Sequence, residues 1–216
     1  MLEFLTENYT VVASVTNIGT LLVWIFYAQL LYSSYRRQRL PRVLINKGVG
    51  DEYVDSPCLI CNMSQEAVFV YFMIVKLKTS DGIYEAPMTD REGDELPESE
   101  GEITLRNRTR QGPLNSGECL EFVSFRRMIK RLLDSAELDI NDGSPSAAGI
   151  QLHWLEVHVV SIYGPEHKPF GAVRRFSIEA PEEGQQVRLY PDTLDTENRR
   201  SFRYRRQIND WLKRYL

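Results

Sequence analysis

The sequence predicts a mainly β fold behind a single N-terminal transmembrane helix. The β part is expected to be an immunoglobulin-like antiparallel β-sandwich with an inserted short helix, followed by a C-terminal amphipathic helix. Three observations predict this arrangement. The run from Val11 to Tyr35 contains no Asp, Glu, Lys, Arg or His. Short runs rich in β-branched and aromatic residues, separated by turn signals, follow it. Two basic stretches place their apolar residues at helical spacing.

The uncharged run is long enough to cross a bilayer as a helix. A hydrocarbon core of about 30 Å needs about 20 apolar residues, each adding about 1.5 Å of rise. A cleaved signal peptide fits poorly, because the N-terminal tail carries Glu3 and Glu7 and has no basic residue. We expect residues 1–10 to be a short tail and residues 11–35 to be an uncleaved transmembrane helix.

The basic residues that flank this helix lie on its C-terminal side. A basic juxtamembrane linker, residues 36–42, contains Arg36, Arg37, Arg39 and Arg42. The positive-inside rule therefore predicts an inner or plasma membrane protein with its N-terminus outside and its C-terminal domain in the cytoplasm. These four arginines are the predicted membrane-surface residues.

One face of the transmembrane helix carries small and polar side chains. Ala13, Asn17, Thr20 and Trp24 follow one another at three- and four-residue steps, which places them on one face. Small and hydroxyl residues let helices approach closely, and an amide can hydrogen-bond to a neighbouring helix. These four are the predicted helix–helix contact residues, with a second copy or another membrane protein as partner. The alternative is that Asn17 reaches headgroup water and contacts no partner.

Residues 43–192 form the predicted sandwich. The two strongest strands, 67–79 and 151–163, are each followed by a turn and a second strand, which is typical of hairpins. The disulfide and tryptophan spacing of antibody domains is absent, so the architecture is predicted from the strand pattern alone. Acidic residues 90–101 and Gly/Ser-containing residues 141–149 are expected to be loops. Further strands are expected at 43–46, 58–64, 83–88, 103–108, 119–123 and 171–178.

Two basic amphipathic helices are predicted. In the first, Ser124 is the expected N-cap of a helix whose apolar residues are Phe125, Met128, Ile129, Leu132 and Leu133. The second occupies residues 193–216, with Phe202, Ile208, Trp211, Leu212 and Tyr215 as its apolar stripe. This helix either lies on anionic lipid or packs on the sandwich with its arginines in solvent.

Metal and thiol chemistry find little support in the cysteines and histidines. Cys58 and Cys61 form a C-x-x-C, but a structural zinc site needs two further ligands and no second such motif exists. We expect these cysteines and Cys119 to be buried, reduced thiols. His158 and Glu156 share a strand face while His153 points the other way, and His167 lies in a turn. We expect the His158–Glu156 pair to be solvated rather than part of a metal site.

The sequence favours an interaction or scaffold protein over an enzyme. No phosphate loop and no nucleophile elbow is present, and no catalytic residue, cofactor or metal is predicted. The expected partners are the lipid bilayer and another membrane protein or a second copy, with no nucleic acid and no small-molecule substrate. The alternative function is an accessory subunit of a membrane transport or channel complex.

Overall fold

The computed structural model describes residues 8–38, 40–48, 54–88, 111–136, 150–166, 168–179 and 187–215. The chain divides into two compact units, Met1–Leu40 and Pro41–Leu216. Several predicted features lie outside the described residues: positions 1–7 of the N-terminal tail, Arg39, the strand at 103–108, the loops at 90–101 and 141–149, and His167.

The first unit contains a single described helix, α1, which spans Tyr9–Gln38. α1 extends beyond both ends of the predicted 11–35 segment and stops before Pro41, which disfavours helix at its own position and just before it. Its apolar side chains, including those of Trp24 and Leu31, are exposed. Within the described chain, α1 is the one helix that is long and apolar enough to cross a membrane, and none of its most apolar stretch is buried.

The second unit is mainly β and carries two helices. The helices are α2 (Phe125–Asp134) and α3 (Phe202–Tyr215). The described strands are β1 (Val43–Lys47), β2 (Pro57–Asn62), β3 (Val68–Thr79), β4 (Ile83–Pro87), β5 (Gly112–Leu114), β6 (Cys119–Ser124), β7 (Leu152–Tyr163), β8 (Pro169–Glu179), β9 (Arg188–Pro191) and β10 (Glu197–Arg199).

These strands form two antiparallel sheets. The three-stranded sheet has the order β1-β2-β6. The seven-stranded sheet has the order β10-β8-β7-β3-β4, with β5 added to β3 and β9 added to β8. The predicted β3–β4 and β7–β8 hairpins are both confirmed by the strand pairing.

Both sheets and α2 share one apolar core. In β3, Met73, Val75 and Leu77 face this core, where they join Ile45 and Ile60 of the three-stranded sheet. The alternate β3 residues Phe72 and Ile74 face the other side of the sheet, under α3. β3 is therefore apolar on both faces, which explains why its sequence is a continuous apolar run and not an alternating one.

The two helices differ from their predictions in detail. α2 buries all five predicted apolar residues, although Ser124 makes no side-chain capping hydrogen bond. α3 begins at Phe202 and not at residue 193, because residues 197–199 form β10 against β8. α3 packs on the outer face of the seven-stranded sheet through Tyr204, Ile208 and Trp211. The prediction that Phe202 belongs to the packed stripe is wrong, since it is exposed.

Candidate functional site

The one hydroxyl group among the predicted helix–helix contact residues, that of Thr20, is used within α1, as is that of the neighbouring Thr16. Thr20 Oγ1 donates to the carbonyl of Thr16 at 2.9 Å, and Thr16 Oγ1 donates to that of Val12 at 2.9 Å. No described residue makes a hydrogen bond with the Asn17 amide. On this face, among the described contacts, the Asn17 amide retains unused donors and an acceptor and the Trp24 indole an unused donor, while Thr20 contributes a small surface.

The predicted membrane-surface arginines differ in whether the structure describes their side chains and in whether their charges are paired. Arg36 is exposed within α1, and the side chain of Arg37 lies outside the described residues, as does all of Arg39. Arg42 Nη2 donates to Asp195 Oδ2 at 2.9 Å, so the charge of Arg42 is already paired within the second unit. The sequence pattern gave no sign of this pair, because its members are far apart along the chain.

A buried polar cluster joins α3 to the sheet. His158, in the middle of β7, is 1% exposed. Its Nε2 lies 2.8 Å from Glu156 Oε1, and its Nδ1 lies 3.0 Å from the Tyr204 hydroxyl of α3. The second carboxylate oxygen of Glu156 accepts from Arg175 Nη2 at 2.8 Å. The expectation that His158 and Glu156 are solvated is therefore wrong, because α3 covers them.

The charges in this cluster follow from burial and hydrogen bonding. Burial lowers the pKa of His158, and Lys76 and Arg199 add to that effect against the opposing Glu156 carboxylate. Burial would raise the pKa of Glu156, but hydrogen bonds and charges from His158 and Arg175 lower it below its ordinary value. A neutral imidazole beside an ionised carboxylate must donate through Nε2–H, so Nδ1 accepts from the Tyr204 hydroxyl.

A second polar contact holds the C-terminal end of α3. Glu85 of β4 accepts a hydrogen bond from Trp211 Nε1 at 3.0 Å and another from the Tyr215 hydroxyl at 3.0 Å. The same carboxylate pairs with Lys76 Nζ at 2.9 Å. Burial of Glu85 would raise its pKa, but the hydrogen bond and charge of Lys76, with hydrogen bonds from Tyr215 and Trp211, lower that pKa below its ordinary value. Glu85 therefore holds the C-terminal end of α3 directly, and Glu156 acts on α3 through His158.

The three cysteines adopt two different states. Cys58 is a free, fully buried thiol in the shared core, as expected, and burial raises its pKa to about 12. Cys61 and Cys119 lie directly opposite each other in β2 and β6 and form a disulfide. The expectation of reduced thiols is therefore wrong for this pair, and the expectation of burial is wrong for Cys119, which is exposed. The physical reason is register: a directly opposed cross-strand pair brings both Cβ atoms within bonding reach.

The described residues contain no group of three or more His, Cys, Asp or Glu side chains arranged to hold a metal ion. No protein-family model matches the chain, and neither a curated protein nor a solved structure matches it. Function is therefore inferred from the geometry of the chain's own residues.

Proposed function

We propose that the protein is a single-pass membrane protein that acts as an interaction or scaffold subunit. α1 crosses an inner or plasma membrane and contacts a second copy of the chain or another membrane protein. The β-rich unit lies in the cytoplasm, and we assign it no catalytic activity. Its two antiparallel sheets around one core support an immunoglobulin-like sandwich as the architecture of that unit.

One observation carries this proposal. α1 exposes its whole apolar surface, and its Asn17 amide has no hydrogen-bond partner among the described residues. An exposed apolar helix of this length is stable in a bilayer, because its backbone N–H and C=O groups hydrogen-bond to one another within the helix. An unused amide in that environment favours contact with a neighbouring helix, because interhelical hydrogen bonds stabilise association by about 0.6 kcal/mol on average.

The cytoplasmic orientation is supported by the arginines that follow α1. Arg36, Arg37, Arg39 and Arg42 all lie within a few residues of its C-terminal end, where the positive-inside rule counts charge. The Cys61–Cys119 disulfide is an argument for the opposite orientation, because such bonds are rare in the cytosol. We give the arginines more weight, because all four lie at or just after the C-terminal end of α1 and the residues before α1 contain no Lys or Arg.

The experiment is a comparison of two α1 variants in the full chain. Bifunctional crosslinking in membranes and size measurement after mild detergent extraction should both show a complex. Replacing Asn17→Leu should reduce the crosslinked fraction several-fold, because the leucine cannot hydrogen-bond across the interface. Ser14→Ala is the matched control, since the Ser14 hydroxyl is already bonded to the Thr10 carbonyl at 2.8 Å.

The composition of the crosslinked complex distinguishes the possible partners. A complex of identical chains or with one other membrane protein supports the scaffold function. Recovery of a multispan transport protein, with flux altered by Asn17→Leu, would instead favour the accessory-subunit alternative. A protein that is monomeric in mild detergent and uncrosslinked in its membrane would contradict both functions.

A further inference from the structure

The first residues of the second unit are fixed to two of its loops. The Arg42 backbone N–H donates to Ser64 Oγ at 2.8 Å, and the Arg42 carbonyl accepts from the Met63 N–H at 2.8 Å. The Arg42 guanidinium pairs with Asp195 at 2.9 Å. One residue later, the Val43 N–H donates to Asn198 Oδ1 at 3.0 Å. Residues 63–64 and 195–198 are therefore held beside the point where the chain leaves the linker.

Exposed apolar side chains are associated with these same two segments. Leu194 is 99% exposed and Phe202 is 82% exposed, the two highest values among the described large apolar residues from Pro41 onward. Met63 is 56% exposed. Single exposed apolar residues are ordinary on a protein surface. Here, however, the three residues lie close to the linker in the chain's contacts. The Met63 backbone N–H bonds to Arg42, and Leu194 directly precedes Asp195, which pairs with Arg42. Phe202 follows three residues after the end of β10. We define Arg42, Met63, Leu194 and Phe202 as the tether surface.

The length of the linker limits how far this surface can be from a bilayer. α1 ends at Gln38, four residues before Arg42. Four extended residues span at most about 14 Å. The headgroup region on each side of a bilayer is about 5–8 Å thick, from the difference between the total thickness and the hydrocarbon core. A short tether also gives the surface a high effective concentration at the lipid.

The charges near the tether surface are compatible with lipid headgroups. The two acidic residues of the segment, Asp195 and Glu197, are paired with Arg42 and Arg199 at 2.9 and 2.7 Å. Arg203, which follows Phe202, is exposed. Pairing of the acidic residues reduces repulsion from anionic lipid, and the exposed basic residue is attracted to such a surface.

We propose that the tether surface is a lipid-contact site, at which Leu194, Phe202 and Met63 enter the headgroup region of the bilayer that α1 crosses. The proposal rests on the membrane span of the proposed function and adds to it a defined face of the β-rich unit. Such a contact holds the unit in one orientation at the membrane, so that the rest of its surface is presented to partners in a fixed direction.

The experiment measures lipid proximity with a fluorescent label on the full chain. Cys58 is buried and Cys61 is bonded to Cys119, so a thiol-reactive label under non-reducing conditions attaches to an introduced cysteine. Label is attached to Leu194→Cys, to Phe202→Cys, and to the control Ile83→Cys. Ile83 is 58% exposed on β4, which lies at the end of the strand order opposite to β10. Each protein is reconstituted in phosphatidylcholine–phosphatidylserine nanodiscs containing a headgroup-proximal nitroxide lipid.

Quenching by the nitroxide lipid should be several-fold stronger for the labels at 194 and 202 than for the label at 83. Equal quenching at all three positions would overturn the proposal. A second result would also overturn it. If native membranes protect the labels at 194 and 202 from aqueous iodide, but the nitroxide lipid does not quench them, a protein partner and not lipid covers this surface. Failure of the chain to incorporate into nanodiscs would contradict the proposed membrane span itself, so the two failures are distinguishable.

Discussion

α2 and α3 have the same kind of sequence, a basic amphipathic helix, but they attach to the β structure in different ways. α2 buries only apolar side chains, in the core shared by both sheets. α3 lies on the outer face of the seven-stranded sheet, where Tyr204 and Trp211 bring polar atoms to His158 and Glu85. The comparison teaches that amphipathic spacing identifies a packed face without revealing whether the contact is purely apolar or depends on charge. Near the ordinary pKa of histidine the first contact should be nearly independent of pH, because the Arg126–Asp55 pair of α2 titrates at the lowered pKa of an aspartate. The second contact should depend on pH in that range, because it contains His158.

The largest effect is expected from a cavity beneath α2. Leu132 is fully buried in the shared core, so Leu132→Ala should lower the free energy of unfolding of the second unit by about 2–5 kcal/mol. Lys130→Ala, on the exposed side of the same helix, should change it by about 0.5 kcal/mol or less. Urea titration of both variants checks this, and equal effects would contradict the placement of α2 in the core.

A smaller but more specific effect is expected where α3 meets β8. A methyl group on Gly171 would clash with the Tyr204 ring, which His158 holds in place. Gly171→Ala should therefore cost about 1–3 kcal/mol of stability through overpacking. The cost should largely disappear when Tyr204→Ala is already present, because the clashing ring is gone. A double-mutant cycle on unfolding free energies measures this, and strict additivity would contradict the contact.

The smallest effect is a pH dependence confined to α3. Because the folded-state pKa of His158 is lowered below its ordinary value of 6.5, the unfolded chain takes up a proton first as the pH falls. Stability should be at its full value above pH 6.5 and decline below it, by at most about 1.4 kcal/mol per pH unit. The protection of α3 amides against hydrogen exchange, relative to their intrinsic exchange rate at each pH, should fall over this range while the protection of α2 amides changes less. An unchanged slope in His158→Gln would show that another group is responsible.

Much of the fold could be predicted from local sequence, and the failures have physical causes. The α1 segment, the β3–β4 and β7–β8 hairpins and the buried face of α2 follow from periodicity and turn chemistry. β10 was missed because its three residues, Glu197–Arg199, are polar and gain their strand conformation from pairing with β8. The burial of His158 and the Cys61–Cys119 bond depend on elements distant in sequence, which no local pattern contains.

The most direct test of the membrane account is the topology of the full chain in cells. A C-terminal tag should resist protease in intact cells and become sensitive when the membrane is opened, with the whole protein resistant to alkaline extraction. Digestion of the tag in intact cells would contradict the cytoplasmic orientation. Release of the protein by alkaline extraction would contradict the membrane anchor itself.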